Sequence, residues 1–257
     1  MDILKKIISN KKKEVESIKR SFPISNLEES IYFDRHLLSM KKSIIEKSGL
    51  ISEFKRKSPS VSDINLNASV KDVAKGYELA NSSGISILTD NMFFGGDNND
   101  LLTIRDNISI PILRKDFIID EYQIIESKSI GADIILLIAS CLSKFEVKKL
   151  SKLSKSLDLE VLLEIHSEDE LDYLNEDIDI VGVNNRNLKL FKTDINTSIK
   201  FSDLIPDHYC KISESGISSV SDINKLMNCG YNGFLIGENF MKHKNPVLAC
   251  KKFIKSI

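Results

Sequence analysis

The chain has 257 residues, of which 42% are hydrophobic and 28% charged, and its formal net charge is −1. This is the composition of a globular protein with a substantial core, and the balanced charge excludes a general electrostatic pull toward nucleic acid or an anionic membrane. No apolar run reaches the length of a membrane span, and the opening Met-Asp-Ile-Leu-Lys-Lys is too charged for the core of a secretory signal, so a cytoplasmic protein is expected.

Four cysteines, Cys141, Cys210, Cys229 and Cys250, stand far apart with no C-x-x-C spacing. A zinc site or redox pair is not expected, and sparse cysteine suits a reducing compartment. Lysine runs such as Lys11-Lys12-Lys13 are balanced by nearby acids and read as solvated helix faces.

The first element is helical. Ile3, Leu4, Ile7, Ile8, Val15 and Ile18 recur at helical spacing over 2–20, and Phe22-Pro23 ends the run. Residues 27–48 read as a second, mostly helical stretch, which makes 1–48 an N-terminal extension.

From there strands and helices alternate. Strands are predicted at Leu50–Lys55, Ile85–Thr89, Ile110–Lys115, Ile134–Ile138, Glu160–Ile165, Ile180–Asn184, His208–Ser213 and Gly233–Ile236. Helices are predicted between them at 69–82, 98–107, 120–130, 143–157, 167–175, 194–203 and 218–229, with a last one near 246–256. Such alternation implies a parallel sheet, and eight units fit a closed (β/α)8 TIM barrel with an N-terminal helical extension. Ile134-Ile135-Leu136-Leu137-Ile138 is apolar on both faces, as a sheet buried on both sides requires. Glycines at 84, 131 and 230 precede strands, as expected at helix ends. The expected organisation is one domain, 1–257, with the barrel over 49–257. An open doubly wound sheet is the competing fold, but no G-x-G-x-x-G follows the first strand, which weakens its dinucleotide-binding version. The connection from Arg56 to Asn67 is long, as lids and binding loops are.

Active sites of such barrels sit at the C-terminal ends of the strands, so polar strand ends are the candidates. Glu53 and Lys55 share the face of the first strand that carries Ile51, and a charged pair there needs a partner or a ligand. Lys115 shares a face with Leu113 at the end of the third strand. In the fifth, Val161, Leu163 and Ile165 form a wholly apolar face that must pack on helices, so Glu164 points into the barrel. A structural ion pair is the plain alternative for Lys115 and Glu164. Arg114 has the opposite parity and needs a partner outside the barrel. The sixth strand ends Asn184-Asn185-Arg186. Strands seven and eight end in the small turns Ser213-Glu214-Ser215-Gly216 and Ile236-Gly237-Glu238, where barrels of this kind hold phosphate through backbone N–H groups. Ser215, Gly216, Gly237 and Glu238 fit that role, with the Glu238 carboxylate expected to point away from the anion.

These segments carry a resemblance. Ser52-Glu53-Phe54-Lys55-Arg56-Lys57-Ser58-Pro59-Ser60, Leu88-Thr89-Asp90 with Phe93-Phe94-Gly95-Gly96, and Leu113-Arg114-Lys115-Asp116-Phe117-Ile118-Ile119-Asp120 resemble the indole-3-glycerol phosphate synthase family. So do Leu162-Leu163-Glu164-Ile165-His166, Gly182-Val183-Asn184-Asn185-Arg186-Asn187-Leu188, Ser213-Glu214-Ser215-Gly216-Ile217 and Ile236-Gly237-Glu238. Asn187 stands where the family usually has Asp, and Ser52 where it often has Ala.

The resemblance implies a lyase of tryptophan biosynthesis that needs no metal or organic cofactor. Its substrate would be 1-(2-carboxyphenylamino)-1-deoxyribulose 5-phosphate, and its products indole-3-glycerol phosphate, CO2 and water. It implies Lys115 as general acid on the ketone, Glu164 as general base in the dehydration, and Lys55 on the substrate carboxylate. Glu53 and Asn184 would hold hydroxyls and tune the lysines, and Arg186 would contact substrate or hold its loop. Ser215, Gly216, Gly237 and Glu238 would cradle phosphate with Ser58 nearby. Pro59, Phe94, Phe117, Leu136 and Leu235 would wall the aromatic ring. The expected partner is the small sugar-phosphate substrate, with no nucleic acid and no membrane, and a monomer is expected.

Two other readings stay in view. A different sugar-phosphate isomerase on the same barrel needs an acid–base pair but not the lysine pair. A non-catalytic phosphate-binding barrel would have no use for Lys55, Lys115 and Glu164 together. His166 and Cys141 read more simply as a hydrogen-bonded strand-end histidine and a small apolar residue, and Phe93 and Phe94 fit core packing as well as a site wall.

Overall fold

The computed structural model describes residues 3–187 and 192–257. Leu188, which closes the motif that begins at Gly182, lies outside the described residues, as do Met1 and Asp2. Eight parallel strands close on themselves in chain order: β1 (Leu50–Phe54), β2 (Gly84–Leu88), β3 (Ile112–Lys115), β4 (Ile134–Ile138), β5 (Glu160–Ile165), β6 (Ile180–Asn184), β7 (Cys210–Glu214) and β8 (Gly233–Ile236). Closure comes from β8 pairing with β1, with Leu50 opposite Phe234 and Ser52 opposite Ile236. The open-sheet alternative is thereby eliminated.

The alternation of side chains around the barrel makes two cores. Ile51, Leu113, Ile134, Leu136, Leu162, Ile180, Ile212 and Leu235 fill the interior. The opposite faces pack outward on the helical ring, as Ile85, Ile135, Leu163 and Val181 do. That ring comprises α4 (Val70–Leu79), α6 (Asn98–Arg105), α7 (Glu121–Ser129), α8 (Lys144–Ser156), α9 (Asn196–Phe201), α10 (Val220–Asn228) and α12 (Pro246–Ile254). Local sequence sets their starts. Ser143 with Glu146 and Ser219 with Asp222 form capping boxes, and Asn245 caps the helix that opens with Pro246. Short α5 (Asn91–Phe94) and α11 (Glu238–Met241) follow β2 and β8 at the mouth.

The extension forms α1 (Ile3–Ser21), α2 (Ile24–Glu28) and α3 (Met40–Glu46). The mostly helical stretch expected over 27–48 holds only the end of α2 and all of α3, because tertiary anchors override local propensity between them. Tyr32 donates to Asp106 at 2.8 Å, and Arg35 reaches buried Asp133 at 2.6 Å. The carboxylate of Glu160 accepts the amides of Met40 and Lys41, which starts α3. Met40 and Ile44 then plug the N-terminal end of the barrel, being 0% and 2% exposed. A Cβ on Gly84 would sit 2.3 Å from the Met40 sulfur, so glycine is required there by close approach. The helix end before β2 is made instead by Asn81, at φ 72°.

Smaller departures have local causes. Pro111 delays β3 to Ile112. β7 is shifted to Cys210–Glu214, and the segment after β5 is a 3-10 turn, Glu168–Tyr173. The Arg56–Asn67 connection is folded back: the amides of Ile64 and Asn65 both donate to the Arg56 carbonyl. Cys141, Cys210, Cys229 and Cys250 are all free thiols. Among the described residues no helix is long and apolar enough to cross a membrane.

Candidate active site

With the barrel's lower end plugged, the upper mouth holds a cavity of about 450 Å³. All the sequence-derived candidates line it: Glu53, Lys55, Ser58, Pro59, Phe94, Lys115, Phe117, Leu136, Glu164, Asn184, Arg186, Ser215, Gly216, Leu235, Gly237 and Glu238. Glu53, Lys115, Glu164 and Asn184 come together because each stands at or next to the C-terminal end of its strand, β1, β3, β5 and β6.

Lys115 is the centre. Its ammonium donates to Glu164 Oε2 at 3.0 Å and to Glu214 Oε2 at 2.5 Å. Burial disfavours its charge, but Glu164, Glu214 and Glu53 outweigh that and hold its proton more tightly than in a free lysine. Glu164 Oε1 accepts from Asn184 Nδ2 at 3.1 Å. Burial would raise the Glu164 carboxyl, yet Lys115, His166 and Asn184 prevail and hold it down at about 2. For Glu214 burial prevails over Lys115, and repulsion from Glu164 adds to it, so its carboxyl is pushed up to about 7. The two carboxylates share one ammonium and titrate as a pair. Lys55 Nζ lies 3.0 Å from Glu53 Oε1 at the adjacent strand end.

Glu214 is the residue that sequence reading missed. The pattern places it in the turn after the seventh strand, whereas β7 runs one residue further and Glu214 follows Cys210 and Ile212 on the inward face. The sequence signal is its parity with Cys210 and Ile212; in the structure a Cβ on Gly182, the neighbouring β6 residue, would stand 2.3 Å from Glu214 Oε1. The glycine in Gly182-Val183-Asn184 makes room for that carboxylate.

The β7 and β8 turns face the same cavity. Ser215 and Gly216 both have positive φ, 66° and 74°, and Asn185 Nδ2 pins the turn by donating to the Ser213 hydroxyl and the Ser215 carbonyl. A Cβ on Gly237 would meet the Glu53 side chain at 2.4 Å, so this glycine lets the β8 turn approach the charged cluster. Outside the strand ladders, the N–H groups of Ser215, Gly216, Gly237 and Glu238 donate to no group among the described residues. Glu238 lines the cavity and its carboxylate takes Arg186 at 3.4 Å, while Arg186 also donates to the Ser60 hydroxyl at 3.1 Å. Ser218, Asn239 and Lys242 line this end too and had not been singled out.

The apolar wall contains Phe94 and Phe117 with ring centroids 6.0 Å apart, together with Leu136 and Leu235. Ile3, Leu4 and Ile7 of α1 complete it. Arg114 lies outside the barrel, as its parity required, and is satisfied there by Glu126 at 2.6 Å, Asp116 and Thr89. Burial pushes the Cys141 thiol up to about 12, which fits an inert residue rather than a nucleophile.

Lys11 departs most from expectation. It is not solvated but 1% exposed, with Glu14, Asp90 and Asp116 at 2.9, 3.2 and 3.0 Å. Lys12 and Lys13 are exposed as expected.

A closed barrel with a buried acid–base cluster facing two glycine turns defines a (β/α)8-barrel enzyme. The family model described as indole-3-glycerol phosphate synthase matches residues 4–253. A protein of that name from Bacteroides thetaiotaomicron is 44% identical, covering 100% of this chain and 99% of its own length. Another from Thermoanaerobacter pseudethanolicus is 41% identical, covering 98% and 97%. The chain therefore belongs to the indole-3-glycerol phosphate synthase family, carboxy-lyases of tryptophan biosynthesis. Among solved structures, 3-hexulose-6-phosphate synthase from Salmonella typhimurium has a TM-score of 0.63 at 12% identity, covering 80% of this chain and 96% of that one. The tryptophan synthase a2b2 complex from Pyrococcus furiosus supplies a chain with TM-score 0.57 at 15% identity, covering 81% and 97%. These two likenesses show the fold alone.

Proposed function

We propose that the protein closes the indole ring of indole-3-glycerol phosphate from 1-(2-carboxyphenylamino)-1-deoxyribulose 5-phosphate, releasing CO2 and water. The observation that carries this reading is the Lys115 ammonium, held between Glu164 and Glu214 in the cavity that the two glycine turns also line.

The phosphate lies on the amides of Ser215, Gly216, Gly237 and Glu238, with Ser58 beside it, and the aromatic ring lies among Pro59, Phe94, Phe117, Leu136 and Leu235. Lys55 pairs with the substrate carboxylate and holds it over the ring plane. As the ring carbon attacks the ketone, charge builds on the ketone oxygen, and Lys115 neutralises it by giving up a proton. The bond to the carboxylate then breaks, its electron pair restores the ring, and CO2 leaves. Glu164 stays ionised because Lys115 and Asn184 stabilise its charge, so it is ready to take the ring proton as water departs. Glu53 and Asn184 hold the sugar hydroxyls, and Glu214 keeps Lys115 aimed. Arg186, tied to Ser60 and Glu238, holds the mouth loop over the substrate. The balanced surface charge and small-molecule site suit a cytoplasmic enzyme acting as a monomer without a nucleic-acid partner.

The test is to incubate purified protein with the substrate and follow indole fluorescence. Turnover that disappears in Lys115→Ala supports the reading; no turnover above that variant ends it.

A further inference from the structure

His166 belongs to no part of the chemistry so far, yet it stands directly behind Glu164. Its Nε2 is 3.4 Å from Glu164 Oε1, and its Nδ1 is 4.0 Å from Glu170 Oε2. Neither ring nitrogen has a hydrogen-bond partner among the described residues, so both are open to take up or release a proton. The ring does not line the cavity, and its side chain is 12% exposed, as is that of Glu170. Glu170 is held in place by accepting the His166 amide at 2.6 Å. The Cys141 thiol also feels both carboxylates, but burial keeps it protonated. A line of titratable groups thus runs from Lys115 through Glu164 and His166 to Glu170, away from the cavity.

The reaction proposed above needs such a line. The ketone oxygen leaves as water and so takes up two protons, while the ring gives up one. CO2 departs from a carboxylate and carries none. One proton is therefore consumed per turnover. Substrate filling the mouth lies between Lys115 and bulk water on the cavity side.

We propose that His166 is the proton port of the site. It passes the consumed proton from the surface, by way of Glu170, to Glu164 Oε1. Rotation about the last side-chain torsion of Glu164, which is broad and two-fold, presents the loaded oxygen to Lys115 at the 3.0 Å contact. No bond other than N–H and O–H changes in this step. The inference rests on the proposed reaction, and turnover by the parent protein tests that reaction separately.

The experiment compares His166→Gln, His166→Ala and Glu170→Gln with the parent under steady-state conditions, with thermal melts to establish that each is folded. In His166→Gln, which keeps size and polarity but relays no proton, kcat is expected to fall about tenfold with KM within twofold and a larger solvent isotope effect. Added imidazole is expected to raise kcat of His166→Ala severalfold and leave the parent unchanged. Glu170→Gln is expected to lower kcat by a smaller factor. The port is overturned if His166→Gln keeps kcat within twofold of the parent, or if both His166 variants fall together without imidazole rescue. An unchanged Glu170→Gln would overturn the surface end of the relay.

Discussion

Two buried lysines face opposite fates in this molecule. Lys11 and Lys115 each draw two or more carboxylates to within about 3 Å. The carboxylates around Lys11 are committed elsewhere as well. Asp116 accepts from Thr89 Oγ1 at 2.6 Å and from the Phe117 amide, and Asp90 caps the amide of Phe93. Each cluster keeps one carboxylate oxygen, Asp90 Oδ2 or Glu214 Oε1, without a hydrogen-bond partner among the described residues, but Lys115, Glu164 and Glu214 line the cavity and Lys11 does not. A cluster whose ammonium stays off the cavity makes a fastener, and one whose ammonium faces it leaves capacity for a substrate.

Exchanging each ammonium for an apolar chain of similar length should separate the two roles. In Lys115→Met, kcat should fall by roughly 10³-fold or more, because the proton donor is gone, while the variant stays folded. In Lys11→Met, stability should fall by about 3 kcal/mol, because buried carboxylates lose their counter-charge. Chemical denaturation and steady-state kinetics on both variants measure this. A Lys11→Met variant as inactive as Lys115→Met would mean that the fastener is part of the chemistry. Glu164→Gln should follow, losing roughly 10²- to 10³-fold in kcat with little change in KM, as expected for a base that acts only after binding.

The contrast was only half legible in the sequence. Lys115 and Glu164 could be placed because strand parity and an apolar outward face fix where they point. Lys11 could not, since its partners lie after β2 and β3, far along the chain, and a lysine triplet on a helix resembles a solvated face. Glu214 was lost by one residue of strand length. The turns between α2 and α3 were lost because Asp106 and Asp133 hold them from outside the segment. What the alternating pattern could carry was the barrel, its closure and its active rim. It could not carry contacts whose cause is another element.

The two clusters should also answer pH in opposite senses. The Glu214 carboxyl is raised from 4.5 to about 7, chiefly by burial, so the folded state binds a proton that the unfolded state releases in that interval. Its contribution to stability is present below about pH 4.5 and is lost as pH rises through 7. Asp116 is lowered despite its burial, because Lys11 and Arg114 outweigh it. Its contribution is present above the ordinary aspartate value of 3.8 and is lost as pH falls through the depressed folded value. Denaturant titrations across pH should show Glu214→Gln removing the fall toward neutrality and Asp116→Asn removing the loss in acid. Rate should follow the first group: a step in kcat/KM near pH 7 that vanishes in Glu214→Gln. A step that survives that substitution would assign it to another group.

The smallest expected effect is the sharpest control on Lys11. Lys12 is the next residue on α1, carries the same charge and is exposed. If helix propensity or net charge were what Lys11 supplied, Lys12→Met would cost as much as Lys11→Met, since both remove one positive charge and insert the same side chain. If the buried carboxylates are what matters, Lys12→Met should stay within about 0.5 kcal/mol of the parent. It should also leave KM unchanged, because Ile3, Leu4 and Ile7 keep their place in the cavity wall. Lys11→Met, by contrast, loosens the fastener on the same helix and should raise KM as that wall recedes. Equal stability and equal KM in the two variants would remove the distinction between fastener and surface charge.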